Sequence, residues 1–247
     1  MTGIAADTGV TSYGLHHRRD AILSPEFDAG GRGAAAAPRV GVLALQGDFR
    51  EHRAMLERLG ATTIEVRRQA ELDAADALVI PGGESTTIGK LMVHYGLIEP
   101  IKTRAAAGMP VFGTCAGLIT VAREIVEGDQ PLLGLIDIVA RRNAFGRQVH
   151  SFEADLELTP FGPPPLRAIF IRAPWIERAG PGVEILASHQ GHAVAAREGW
   201  VLVTAFHPEL TGDTRMHDAF LSIVRRASST AGATGARAGV PTEEVVS

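Results

Sequence analysis

The chain has 247 residues, a formal net charge of −4, and 45% hydrophobic against 21% charged residues. That is the balance of a globular protein with one large domain or at most two small ones, and it excludes bulk disorder and any whole-chain basic footprint for nucleic acid or an anionic membrane. A single cysteine, Cys115, excludes an intrachain disulfide framework and a multi-cysteine zinc site. No apolar run approaches the roughly 18 residues that span a bilayer, and the opening MTGIAADTGV lacks the charged and apolar regions of a signal peptide, so a reducing, cytoplasmic home is expected.

Residues 1 to 38 hold no lasting periodicity and are expected to form a disordered extension. Asp7, Asp20, Glu26 and Asp28 argue against a transit peptide, and an overlong start-codon assignment explains the segment as well. Val40 to Leu45 is a continuous apolar run of the kind buried on both faces of a sheet, and Asp48 is placed to cap the helix after it. Phe49, His52, Leu56 and Leu59 fall at helical spacing, Gly60 stops that helix, and Thr62 to Val66 is β-branched enough for a second strand. A third strand is expected at Ala77 to Ile80, helices at Ser85 to Tyr95 and Ile98 to Ala107, and a fourth strand at Pro110 to Gly113 leading into a helix near Ala116. Alternating strands and helices imply a parallel sheet.

Beyond Gly128 the texture changes. Phe152, Ala154, Leu156 and Leu158 alternate with Glu153, Asp155 and Glu157, as in a sheet wet on one side. Strands are expected at Ala168 to Ile171, Val183 to Ala187, His192 to Ala196 and Trp200 to Phe206. A closing helix, Asp213 to Arg226, places Met216, Phe220, Ile223 and Val224 on one face. The last stretch, Ser228 to Ser247, reads as a second disordered tail. The expected fold is a single α/β domain over residues 39 to 227, with a mostly parallel central sheet flanked by helices and antiparallel strands in its second half.

Three segments are equipped for chemistry. VFGTCAG (111 to 117) puts Cys115 between a strand and a helix, flanked by Gly113 and Gly117. A nucleophile on such an elbow needs small residues two before and two after it for the chain to turn without clash, and the helix N-terminus favours thiolate over thiol. A lone cysteine is more often a small buried hydrophobe, so the pattern alone leaves both readings open. Directly after the apolar strand WVLVTAF comes HPE, in which His207 and Glu209 would project to one side of an extended chain, the carboxylate orienting the imidazole. PGGESTT (81 to 87) ends a third strand. Gly82 and Gly83 can expose backbone amides to an oxyanion, with the amide of Ala116 as second donor, while Glu84 supplies a carboxylate and Ser85 a helix cap. Gly89 and Lys90 follow, but Ser85 and Glu84 stand where a phosphate-binding loop needs glycine, and Leu91 stands where it needs Ser or Thr, so nucleotide binding there is rejected.

His189 and His192 lie three apart with no third ligand near in sequence, which falls short of a metal site, and His16 and His17 fall in the expected extension. Arg141, Arg142, Arg147 and Arg172 are surface charges by default, yet a zwitterionic substrate wants an arginine for its carboxylate.

Together these residues resemble the class I, triad-type glutamine amidotransferases, and more narrowly the glutaminase subunits of pyridoxal 5′-phosphate synthases. GVLALQGDFREH (41 to 52), PGGESTT (81 to 87), FGTCAGLI (112 to 119), RRNAFGRQVHSFEADL (141 to 156), FIRAP (170 to 174) and FHPELT (206 to 211) carry the likeness in order across residues 39 to 226. GxCxG and HPE are shared by many amidotransferases, whereas RNAFGRQ and FIRAP are more specific; the 38-residue leader departs from the family's usual start. The resemblance implies hydrolysis of L-glutamine to L-glutamate and ammonia, with ammonia passed to a separate synthase subunit. It implies Cys115 as nucleophile, His207 as base and acid, Glu209 as orienting carboxylate, and Gly83, Glu84, Ser85, Arg142, Ile171 and Arg172 as glutamine-binding residues. No cofactor is implied, because pyridoxal phosphate is the partner's product. A different amidotransferase's glutaminase and a non-catalytic docking subunit of the same fold are the alternatives at this point.

Overall fold

Short apolar runs that are buried on both faces build the first half of the molecule, and their register sets everything that follows. The computed structural model describes residues 37–146, 151–158 and 161–235, all within one α/β unit. The greater part of the leader, Arg147 and the end of the tail lie outside the described residues.

The elements in chain order are β1 (Arg39–Leu43), α1 (Phe49–Arg58), β2 (Thr62–Val66), α2 (Gln69–Asp73), β3 (Ala77–Ile80), α3 (Ser85–His94), α4 (Ile98–Ala106), β4 (Val111–Thr114), α5 (Ala116–Val121), β5 (Ala122–Ile125) and β6 (Ile136–Arg141). They continue with β7 (Ser151–Leu156), β8 (Leu166–Ile171), β9 (Trp175–Ala179), β10 (Glu184–His189), β11 (His192–Glu198), β12 (Val201–Thr204) and α6 (Arg215–Gly235). The main sheet runs β2-β1-β3-β4-β12-β11-β9-β6-β5, with β10 paired to β11, and β7 and β8 form a separate antiparallel pair. The strands from β2 to β12 are parallel; β12, β11, β9 and β6 pair antiparallel, and β5 returns to parallel beside β6. The expected mixed α/β sheet is therefore present, and its antiparallel strands do fall in the second half.

β3, β4 and β12 are wholly buried tetrapeptides, which is why they read as unbroken apolar runs. Their register pairs Ile80 with Gly113 and Thr204 with Thr114, so all three strands end level with one another. Around this centre α1 packs on β1, β2 and α6, and α5 packs on β3, β4, β12 and α3. Phe112, Phe170, Phe206 and Phe220 are the largest fully buried side chains of the core.

Four elements escaped the sequence reading: α2, β5, β6 and β9. α2 is a single five-residue turn, too short for a helical stripe. β5 and β9 are only four and five residues long, and each exposes half or more of its residues, so neither presents an apolar run. β6 does alternate, buried and half-buried, with Asp137 and Arg141 at half-buried positions, but the apolar Val139 shares their face and blurs the pattern.

The closing helix also runs further than Arg226, to Gly235, so part of the expected tail is helical. Ala is the best helix former, and the hydroxyls of Ser228, Ser229 and Thr230 each donate back to the carbonyl four residues earlier, at 3.1, 3.0 and 3.0 Å. Small polar residues that suggest a tail by composition are thus accommodated on a helix already nucleated by packing.

Candidate active site

Cys115 follows β4 directly and is the hinge between that strand and α5. Its backbone is at φ 48°, ψ −102°, and its N–H donates to the Thr204 carbonyl of β12 at 2.8 Å. A non-glycine residue at positive φ is held there only by its surroundings, and the observed strain belongs to the turn that presents the sulfur. Gly113 and Gly117 explain how the turn closes: a Cβ on Gly113 would stand 2.7 Å from the Gly117 carbonyl carbon, and one on Gly117 would overlap the Ile80 carbonyl oxygen of β3. Cys115 is only 6% exposed, yet its sulfur lies on the wall of a pocket and 3.7 Å from the Ile171 carbonyl oxygen.

His207 leaves the end of β12, with its N–H donating to the Ile169 carbonyl of β8 at 2.8 Å. Its Nδ1 is hydrogen-bonded to Glu209 Oε1 at 2.7 Å, and its Nε2 makes no hydrogen bond with another protein group. The expected same-side projection from an extended chain is corrected here: Pro208–Leu210 is a turn of 3-10 helix with His207 at its N-cap, and the turn brings the carboxylate under the ring. Burial pushes the His207 pKa down, but the Cys115 sulfur and the Glu209 carboxylate more than offset it and raise it to about 10. Burial in turn raises Glu209, against the lowering effect of His207. Gly82 is what lets the imidazole sit there, because a Cβ at that position would overlap Cε1 and stand 2.9 Å from Nδ1.

A pocket of about 360 Å³ opens beside these groups. Cys115 and His207 line it, with Gly83, Glu84, Ser85, Ala116, Arg142, Ile171 and Arg172 among the residues expected to hold an oxyanion or a substrate; Gly82, the other glycine expected to expose its amide, is not in the lining. Glu209 lies behind His207, outside the lining. The capping roles in PGGESTT are exchanged relative to expectation. Glu84 is the N-cap of α3, accepting from the Thr86 and Thr87 amides at 3.2 and 2.7 Å, while Ser85 is the first helical residue and donates its hydroxyl to Gln130 Oε1 at 3.1 Å. Glu is longer than the usual cap residue, but its second oxygen has room to curl back on the first turn. Asp48 likewise precedes α1 without capping it; its carboxylate instead lies 3.5 Å from His207 Nδ1.

The arginines divide. Arg142 reaches into the pocket and donates to Glu84 Oε1 at 3.1 Å and to Thr86 Oγ1 at 3.3 Å. Arg172 is exposed at the rim with φ 44°. Arg141 is taken up by a two-bonded pair with Glu177, at 2.8 and 3.2 Å, and Glu177 is held down to about pKa 2, chiefly by that guanidinium. His189 and His192 face each other across the β10–β11 hairpin and pack on aromatic rings, His189 against Phe152 and Phe170 and His192 against Trp175. Gly89 and Lys90 lie within α3, on a helix rather than a loop.

Sequence reasoning missed Gln46 on the pocket wall and two histidines behind it. Gln46, after β1, accepts from the Glu84 amide at 2.8 Å and braces the Gly83 backbone, which sits at φ 148°. His52 of α1 and His217 of α6 are fully buried and joined by a 2.9 Å hydrogen bond, and His52 Nε2 lies 3.0 Å from Thr114 Oγ1 and 3.3 Å from Glu209 Oε2. The signal in the chain was a histidine at each of two buried helical positions, one of them already on the stripe of α1.

Among the described residues, Asp48, His207 and Glu209 are the one trio of His, Cys, Asp and Glu side chains whose ligand-type atoms all come within 4.8 Å of one another. In that trio Nδ1 of His207 is already engaged by Glu209. No helix among them is long and apolar enough to cross a membrane.

Comparison with known proteins gives the same region a family. The SNO glutamine amidotransferase family model matches residues 42–226. The pyridoxal 5′-phosphate synthase subunit PdxT of Frankia alni is 57% identical over 78% of this chain and 98% of its own length, and that of Herpetosiphon aurantiacus is 59% identical over 74% and 99%. A solved glutamine amidotransferase superposes with a TM-score of 0.72 at 51% identity, covering 75% of this chain and 98% of its own. A chain of PurLQS from Thermotoga maritima shares the fold at 17% identity, with a TM-score of 0.55 over 78% of this chain and 98% of its own.

Proposed function

Because the chain belongs to the SNO glutamine amidotransferase family, we propose that it hydrolyses L-glutamine to L-glutamate and ammonia and delivers the ammonia to the synthase subunit of a pyridoxal 5′-phosphate synthase. The observation that carries this reading is that Cys115 and His207 line one polar pocket, with Glu209 behind His207 and 2.7 Å from its Nδ1. A docking-only subunit has no chemical use for that arrangement together with the strained elbow at Cys115.

In this reading His207 holds the proton that Cys115 gives up, and the sulfur adds to the side-chain amide carbon of glutamine. The amide oxygen becomes an oxyanion, held by the backbone N–H groups of Gly83 and Ala116 at the end of β3 and the start of α5. The carbon–nitrogen bond breaks, His207 gives its proton to the departing nitrogen, and ammonia leaves with a thioester on Cys115. Water then attacks the thioester with His207 as base, releasing glutamate and restoring the sulfur. Glu209 keeps Nδ1 of His207 protonated throughout, so that Nε2 does the transferring. Glu84 and Arg142 offer one negative and one positive group 3.1 Å apart, which suits the α-ammonium and α-carboxylate of a free amino acid. Ser85, Ile171 and Arg172 complete the binding wall.

We assign this work to residues 39–227, with residues 1–38 and 228–247 as extensions that the chemistry does not use. Ammonia that escapes into water is protonated and lost as a nucleophile, so release into a docked synthase follows from the task. A cytoplasmic location suits an enzyme that depends on one free thiol. The test is ammonia production from glutamine by the full chain, alone and with the synthase subunit. Turnover that rises with the partner is the expected result; no ammonia under either condition overturns the reading.

A further inference from the structure

Glu209 is buried and has two oxygens to satisfy. Oε1 accepts from His207, while Oε2 makes no well-aligned hydrogen bond, and the donor-capable atom beside it is His52 Nε2 at 3.3 Å. Buried carboxylate oxygens without donors are costly, so the state of His52 decides how firmly Glu209 is held.

Two tautomer patterns are open to the neutral His52–His217 pair. In one, His52 donates from Nδ1 to His217. His217 must then carry its own proton on Nδ1, an atom that is buried with no partner, and His52 turns a lone pair toward the Glu209 carboxylate. In the other, His217 donates from Nε2 to His52 Nδ1, and His52 carries its proton on Nε2. That proton faces both Thr114 Oγ1 and Glu209 Oε2, and the atom left alone on His217 is a lone pair instead of an N–H. A buried orphan N–H and a lone pair facing an anion are both avoided only in the second pattern.

Resting on the glutaminase reading above, we propose that His52 is a positioning residue of that reaction: oriented by His217, its Nε2–H is shared between Thr114 Oγ1 at 3.0 Å and the far oxygen of Glu209 at 3.3 Å, and it leaves the near oxygen to hold His207. The groups that face this imidazole are His217 from α6, Thr114 from β4, and Glu209 and His207 from the turn after β12. Burial, then His217 and His207, keep the His52 pKa well below its ordinary value, so it acts as a neutral donor. His52 does not line the pocket, and its effect belongs to turnover and not to glutamine binding.

The test uses the full chain with its synthase partner and two variants. His52→Leu removes the donor; His52→Gln restores an N–H near the Nε2 position. A hydrogen bond to a charged group corresponds to roughly a ten- to hundredfold change in rate. His52→Leu is therefore expected to lower kcat by that factor with KM unchanged, while His52→Gln recovers most of the loss. Wild-type kcat in His52→Leu, equal losses in kcat and KM, or a Gln variant no better than Leu would each overturn the proposal. Nitrogen-15 histidine spectra of the unmodified protein decide the matter even where a variant fails to fold: both His52 and His217 should be neutral with the proton on Nε2, and an Nδ1–H tautomer at His52 refutes the arrangement. A protein that releases no ammonia from glutamine at all would instead defeat the glutaminase reading, and the spectra would still report on the imidazole pair.

Discussion

The pocket side and the core side of Glu209 carry the same residue type in opposite states. On the pocket side burial alone would strip His207 of its proton, yet the sulfur and the carboxylate beside it lift its pKa to about 10. On the core side His217 is pushed by burial down to about 4, and His52, deeper still and faced by two other imidazoles, falls well below its ordinary value. Burial is common to all three rings. What separates them is which neighbours answer the desolvation: His207 has the sulfur and the near carboxylate oxygen beside it, His217 has burial alone, and His52 is lowered further by two other imidazoles. That difference makes one ring a proton carrier and the other two fixed dipoles.

The largest test of this contrast removes the sulfur from the pocket side. Cys115→Ala is expected to abolish ammonia release from glutamine while the variant still folds and binds its partner, and to let the His207 titration fall from about 10 toward its ordinary value. Residual turnover at the wild-type rate would take Cys115 out of the mechanism; an unmoved His207 would break the comparison itself.

A smaller effect comes from displacing the ring without changing its partners. In Gly82→Ala the new Cβ would overlap His207 Cε1, so the imidazole has to shift. A misplacement near 1 Å costs about a hundredfold in rate, which kcat measured on a variant with a near-normal melting temperature would reveal. Unchanged turnover would mean that the ring's position is not demanding.

The mildest test reads stability against pH, where the two sides have opposite signs. His217 is depressed in the folded protein, so its contribution is present above about pH 6.5 and is lost as pH falls through about 4; the gap is worth about 3 kcal/mol at most. His207 is raised, so its contribution is present below about pH 6.5 and is lost as pH climbs through about 10. Urea unfolding of His217→Leu should lessen the slope of the acid limb, to which His52 still contributes, and that of Cys115→Ala the slope of the alkaline limb. Identical limbs in both variants would show that the two sides do not differ as described.

The reading of the chain before its structure was strongest where strands are buried on both faces. β3 was placed to the residue and β4 to within one at each end, because such runs suit a sheet interior, whereas β2, an edge strand with only Val66 buried, was placed to the residue by its β-branched composition. It was weakest in the antiparallel half, where β5 and β9 are short and largely exposed. At the site the same division holds. Cys115, His207 and Glu209 stand in local motifs, whereas Gln46, His52 and His217 act through partners 38 to 165 positions away in the chain.

From the sequence alone came the chemistry: one sulfur on a glycine-flanked elbow, an imidazole two residues before a carboxylate, and glycine-rich backbone after an apolar strand. These are local because a turn or an elbow is built from consecutive residues. Only the tertiary structure decided which oxygen of Glu209 faces which ring, that a 3-10 turn and not an extended chain brings the carboxylate to His207, and that α1 and α6 place two neutral imidazoles behind it. Those facts depend on the lateral order of β3, β4 and β12 and on helices packed across the sheet. Such long-range contacts show in the sequence at most as a buried position on a helical stripe, as at His52, and the stripe does not name the partner.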